Sequence, residues 1–153
     1  MDFFHLSGGC LGVGSIVEPG NWGRVLRALG WNHPAAFREM ALESARLFRF
    51  AQCPSRLDSG FGFVSLDDAR AFQQTVNGFG THILYRVRLT DGNAVTGITE
   101  WELCGVNGVM RHDWADAYWL AMKLLPNSET EVGGTGREVL TLSQMRIEER
   151  LDP

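Results

Sequence analysis

The run His82-Ile83-Leu84-Tyr85-Arg86-Val87-Arg88-Leu89 alternates Ile83, Tyr85, Val87 and Leu89 with His82, Leu84, Arg86 and Arg88, which predicts a strand with one buried face and one partly wet face. Shorter runs on either side predict strands over residues 3–6, 60–65, 96–103, 138–142 and 145–151. Three helices are expected between them. In residues 34–50, Phe37, Met40, Ala41, Ser44, Leu47 and Phe48 recur at helical spacing, with Pro34 in the first turn and Arg38, Glu39, Glu43 and Arg46 on the face expected to meet solvent. Ser65 and Asp68 form a capping-box pattern for a helix whose Ala69, Phe72 and Val76 face the core and which ends near Gly78. Asp113 caps a third helix carrying Ala115, Tyr118, Trp119, Met122 and Leu125, stopped by Pro126. Strands and helices do not alternate regularly, so the expected class is α+β rather than a doubly wound sheet.

Composition narrows the function. The 153 residues, 44% hydrophobic and 21% charged, are ordinary for a folded chain and give one domain over residues 1–153. A net charge of -4 argues against gripping a nucleic-acid backbone as the main activity, although a local basic patch stays open. Cys10, Cys53 and Cys104 are odd in number and show no CxxC spacing, so free thiols and a reducing compartment are expected. No run approaches the roughly 20 apolar residues of a membrane span, and no secretory leader is evident. The expected location is the cytoplasm, or the cytosol of a target cell into which the chain is delivered as an effector.

Several segments are dense in chemically useful types. His5 sits on a short apolar strand just before Ser7, and Glu138 opens another strand near the far end. His5 is open to a structural reading, and Glu138 to that of an exposed strand-end carboxylate. Pro19-Gly20-Asn21-Trp22-Gly23-Arg24 reads as a tight turn whose glycine backbone and Arg24 suit a phosphate. Cys53-Pro54-Ser55-Arg56-Leu57-Asp58-Ser59 offers Arg56, Ser55 and Ser59 to a ligand, or forms an Arg56–Asp58 turn pair. His33, His82 and the His112–Asp113 pair lack ligand spacing, so no metal site is expected. Nucleophile-elbow, Walker and dinucleotide fingerprints are missing from the sequence.

Taken in order, these pieces resemble small ADP-ribosyltransferases, above all the rifamycin-inactivating type. Phe4-His5-Leu6-Ser7 and the following glycine turn are similar to that family's first strand and loop. Gly60-Phe61-Gly62-Phe63-Val64-Ser65 resembles its second motif, with Phe61 where a tyrosine is usual; Leu84-Tyr85-Arg86-Val87 resembles the central strand; and Arg137-Glu138-Val139-Leu140-Thr141 resembles the third motif. The chain also resembles an uncharacterised bacterial family with Pro-Gly-Asn-Trp-Gly-Arg and Pro-Ser-Arg segments.

The resemblance implies two small, mostly antiparallel sheets forming a cleft, with about three flanking helices. It implies NAD as co-substrate, His5, Ser7, Arg24, Arg56, Ser59 and Phe61 as NAD-binding residues, and Glu138 with His5 as catalytic residues. The acceptor is left open among protein, nucleic acid and small molecule, and an effector role implies an immunity or inhibitor protein. Gly136 stands where arginine- and asparagine-modifying members carry Glu or Gln, which points away from those acceptors. An NAD glycohydrolase of the same fold and a non-catalytic binding module are the alternatives.

Overall fold

A computed structural model describes residues 2–104, 113–125 and 136–152. In chain order the elements are β1 (Asp2–Ser7), β2 (Ile16–Val17), α1 (Asn21–Leu29), α2 (Ala36–Arg49), β3 (Gly60–Phe63), α3 (Leu66–Thr75), β4 (Ile83–Leu89), β5 (Thr96–Glu100), α4 (Trp114–Leu120), β6 (Lys123–Leu124), β7 (Arg137–Thr141) and β8 (Met145–Arg150). Short 3₁₀ turns follow α1 at Gly30–Asn32 and β5 at Trp101–Cys104. The fold is α+β. All eight strands join one antiparallel sheet in the order β2-β8-β4-β1-β3-β7-β5-β6.

The expectation of two separate sheets is therefore corrected to a single sheet with a narrow waist. β1 pairs with β4 along its whole length, yet pairs with β3 only at Phe4↔Phe63. That one residue pair links the half β2-β8-β4-β1 to the half β3-β7-β5-β6. Beyond it, His5 takes over the contact: its Nδ1 lies 2.8 Å from the Phe61 carbonyl oxygen, a side chain standing where a ladder bond would be. Phe3, Tyr85, Val87, Ile98, Val139, Met145 and Ile147 form one core cluster. Leu6, Phe63, Ala69 and Leu84 form another, against which Phe72 of α3 packs.

Four helices, rather than about three, are present among the described residues. The added one is α1, which occupies the segment expected to be a turn. Gly23 explains why the sequence disguised it: a Cβ there would come within 2.0 Å of the Leu57 carbonyl oxygen, so a residue that weakens a helix is needed where α1 presses on the 54–59 loop. Gly20, with φ of 81°, precedes the helix and donates its N–H to the Ser59 carbonyl at 3.0 Å.

α2 also differs from expectation, because it is turned over. Glu39, 2% exposed, is buried with Leu42 and Ala45, whereas Phe37 and Phe48 are 74% and 86% exposed. The polar face is inside because it holds the 54–59 loop. Ser55 donates to Glu43 at 2.9 Å, Arg46 bonds both Glu43 and the Cys53 carbonyl, and Arg56 reaches Glu39.

α3 begins as expected, with the Ser65 hydroxyl accepting from the Asp68 N–H at 3.1 Å. Asp68 then serves a distant strand, accepting from the Gly136 N–H and from Arg137. α4 buries Tyr118 and Trp119 but ends at Leu120, so Met122 and Leu125 lie beyond it, and β6 is a strand the sequence did not announce. Pro126, His112 and most of the 127–136 stretch lie outside the described residues. No described helix is long and apolar enough to cross a membrane.

Gly23→Ala is expected to destabilise the protein by about 2–3 kcal/mol through overpacking against Leu57. A urea denaturation midpoint no lower than that of the wild type overturns the close-approach explanation.

Candidate functional site

The site is organised round one buried cation. Arg56 is 6% exposed, and its guanidinium is held from both sides. Nε donates to Glu39 Oε2 at 2.9 Å, and Nη1 donates to Glu138 Oε1 at 2.8 Å and to the Tyr118 hydroxyl. The hydroxyl in turn donates to Glu138 Oε1 at 2.7 Å. The guanidinium carbon lies 4.9 Å from the Phe61 ring centroid and 5.1 Å from that of Tyr118, so the cation is flanked by aromatic rings as well as carboxylates.

Each partner arrives on a different element. Glu138 sits on β7 between Phe63 of β3 and Thr99 of β5. Tyr118 is held by α4, whose Tyr118 carbonyl accepts from the Thr99 hydroxyl at 2.9 Å and whose Trp119 indole donates to the Leu42 carbonyl of α2. Arg38 completes the chain of charges by bonding Glu39 Oε1 through Nε and Nη2.

Electrostatics follow from burial and from these partners. Burial pushes the Glu39 carboxyl up, but the neighbouring Arg56 and Arg38 guanidinium groups outweigh it and hold the carboxyl below its ordinary range. Burial works against the charge on Arg56; Cys104, Tyr118, Glu138 and Glu39 around it overcome that and keep it protonated well beyond the usual range. Tyr118 is pushed well up, by burial first. The Cys104 thiol, also raised mainly by burial, reaches about 11 and is inert as a nucleophile at neutral pH.

Glu138 is 4% exposed, and both of its hydrogen bonds fall on Oε1. Among the described residues Oε2 accepts none, and it is not sealed from solvent. Beside it opens a cleft of about 700 Å³, whose lining includes His5, Ser7, Phe61, Trp101, Cys104 and Glu138. His5 and Glu138, from opposite ends of the sequence, thus line the same cavity. The Phe61 carbonyl can only accept, so His5 Nδ1 carries the proton of that bond and the neutral ring keeps Nε2 as an acceptor. Burial lowers the His5 pKa and so favours the neutral form, against the opposing effect of the Phe61 bond.

The remaining expected residues divide. Arg24 lines the cleft from α1, is exposed, and makes a 3.4 Å bond to the Pro19 carbonyl. Ser59 lines it too, buried, with its hydroxyl donated to the Ser55 carbonyl at 2.6 Å. Ser7 reaches the cleft from the end of β1, its hydroxyl accepting from the Gly9 N–H. The alternative of an Arg56–Asp58 turn pair is not what forms, since Asp58 pairs with Arg27 at 3.1 Å.

No protein-family model matches the chain. The curated proteins give no significant match either. The geometry of the site therefore carries the functional reading.

Sequence reasoning missed Glu39 and Tyr118, reading the first as solvated and the second as plain core. The signal for Glu39 was its spacing from Glu43, one helical turn apart and opposite the Ser55-Arg56 pair that they bind.

Arg56→Met leaves Glu138 without its cation and Glu39 with Arg38 alone, and is expected to cost about 3–5 kcal/mol of stability, part of which Glu39→Leu in the same chain should recover. Chemical denaturation of the three variants measures this, and a fully additive double variant overturns the coupling. For His5 the unfolded chain binds a proton near pH 6.5 and the folded chain only at lower pH, so stability falls as pH drops below about 6.5. His5→Gln, which can still donate to Phe61, should flatten that slope between about pH 6.5 and 5; an unchanged slope rejects the assignment.

Proposed function

We propose that this chain is an ADP-ribosyltransferase-like domain that binds NAD in the cleft, breaks the nicotinamide–ribose bond and transfers ADP-ribose to an acceptor. The observation that carries the reading is the meeting of His5, Phe61 and Glu138, from the first strand, the middle and the end of the sequence, in one cavity large enough for a dinucleotide. The waist in the sheet supports it, because a cleft between two sheet halves is what the resemblance implied.

The chemistry asks little beyond positioning and charge. As the bond to ribose lengthens, its electron pair leaves with the nicotinamide ring nitrogen, and the ribose gains oxocarbenium character. Glu138 Oε2 stands ready to stabilise that positive charge and to orient a ribose hydroxyl, while Arg56 and Tyr118 fix the carboxylate through Oε1. The His5 Nε2 lone pair accepts from a second hydroxyl of NAD, and Phe61 forms a wall for the nicotinamide. An acceptor lone pair then closes on the ribose carbon and the acceptor loses a proton. Because Arg56 spends its donors on two carboxylates, the diphosphate falls to Arg24 and Arg38, which line the cleft from α1 and α2.

Glu138→Gln is expected to lower NAD turnover at least about a hundredfold while retaining NAD binding. Mass analysis of the protein with NAD, alone and with a cell extract, tests the reading. Labelled macromolecule in the extract supports transfer, and rapid NAD loss without any acceptor identifies a glycohydrolase instead. No heat of binding with NAD, together with wild-type behaviour of Glu138→Ala, overturns both in favour of a binding module.

A further inference from the structure

We infer that Glu18 reads the adenosine ribose of the bound dinucleotide and makes the cleft prefer NAD to NADP. The assignment rests on NAD being the ligand of the cleft and adds the direction in which it lies. Two unlike groups of residues flank His5, Phe61 and Glu138. On the α3 side Phe72, Phe79, His82 and Trp101 form a continuous wall, with ring centroids 5.1 Å apart from Trp101 to Phe72, 4.8 Å from Phe72 to Phe79 and 4.5 Å from Phe79 to His82. Glu102 is the one charged residue lining that side. On the other side β2, α1 and the turn between them bring Ile16, Val17, Glu18, Trp22 and Arg24, and α2 adds Arg38. These elements belong together, since α1 presses on the 54–59 loop at Gly23 and Arg56 of that loop bonds Glu39 of α2.

Charge sets the direction of the dinucleotide. A diphosphate is held by cations whose donors are not already spent. Three arginines line the cleft, and Arg56 gives its donors to Glu39, Glu138 and Tyr118. The other two stand on the α1 side. Among the described residues Arg24 has only the 3.4 Å bond to the Pro19 carbonyl, and Arg38 keeps Nη1 free while Nε and Nη2 bond Glu39. With the nicotinamide ribose at Glu138, the chain of NAD therefore runs past Arg38 and Arg24, and its adenosine arrives beside Ile16, Val17 and Trp22. The Trp22 ring, held edge-on to His33 at 4.9 Å between centroids, gives the purine an aromatic wall.

Glu18 is the acid that this end of the ligand meets. It sits between β2 and α1, exposed at the rim of the cleft. Its Oε1 accepts from Gln144 Nε2 at 2.8 Å, which ties the side chain to the turn between β7 and β8. Oε2 has no bond among the described residues. A carboxylate steadied through one oxygen offers the other to the 2′- and 3′-hydroxyls of a ribose, both of which can donate. The 2′-phosphate of NADP replaces one of those donors with negative charge and sets it against the carboxylate, and like charges so placed are penalised.

Titration calorimetry of the whole chain with NAD and with NADP tests the assignment. NAD should bind at least about tenfold more tightly than NADP. Glu18→Gln keeps an acceptor oxygen without the charge, so it should bring the two dissociation constants within about threefold of each other, chiefly by tightening NADP. Glu102→Gln removes the charge on the α3 side and should leave the ratio as it is in the wild type. NADP binding as tightly as NAD, or a ratio that Glu18→Gln does not move, overturns the role of Glu18 while NAD binding itself stands. A ratio that moves with Glu102→Gln instead puts the adenosine on the α3 side and overturns it equally. No binding of either dinucleotide overturns it together with the NAD reading on which it rests.

Discussion

The bond network of Arg56 is the constraint to which the other parts of the structure answer. An ionised guanidinium can sit beneath a sheet only if carboxylates and oriented dipoles replace the water it loses. Glu39 and Glu138 supply the charge, Tyr118 a hydroxyl, and the Phe61 and Tyr118 rings their negative faces. These groups belong to α2, β7, α4 and β3, so satisfying one cation fixes four elements relative to one another. The same requirement turns α2 over, because a helix whose Glu39 and Glu43 must face the Pro54–Ser59 loop has to give its apolar stripe to the outside.

Much of the sheet was legible in the sequence. The β4 alternation, the Phe-His-Leu-Ser run and the Glu-Val-Leu run all lie in strands within a residue or two of where periodicity put them, since a strand buried on both faces leaves a continuous apolar run. α1 and the orientation of α2 were not legible. Glycine at position 23 lowers helix propensity and is kept for a close approach visible only in three dimensions. The periodicity in α2 was real, but the rule that apolar residues face inward fails when a buried ion network competes for the same side.

The site was legible in part for a similar reason. His5 and Glu138 stand out because ionisable groups in short apolar strands need a partner or a cavity, and they have both. Tyr118 and Glu39 look like an ordinary core aromatic and an ordinary helix carboxylate. Only the arrangement of α4 and α2 around Arg56 makes them part of the site, and no local pattern encodes that arrangement. Position 56 shows the converse: its arginine was noticed and given to NAD, whereas its donors face carboxylates of this chain.

The strand order has a kinetic consequence. β1 lies near the middle of the sheet, between β3 and β4, and β4 in turn lies between β1 and β8, so the inner strands unite the beginning, middle and end of the sequence. Even β5 and β6 are separated by a 3₁₀ turn and α4, and no described pair of strands is joined by a tight hairpin. Loop closure over such distances is costly before any contact repays it, which places this topology among slow folders of high contact order. Until β3 and β4 arrive, β1 presents two unpaired edges at once, and the outer edges of β3 and β4 then wait for β7 and β8, the strands that come last.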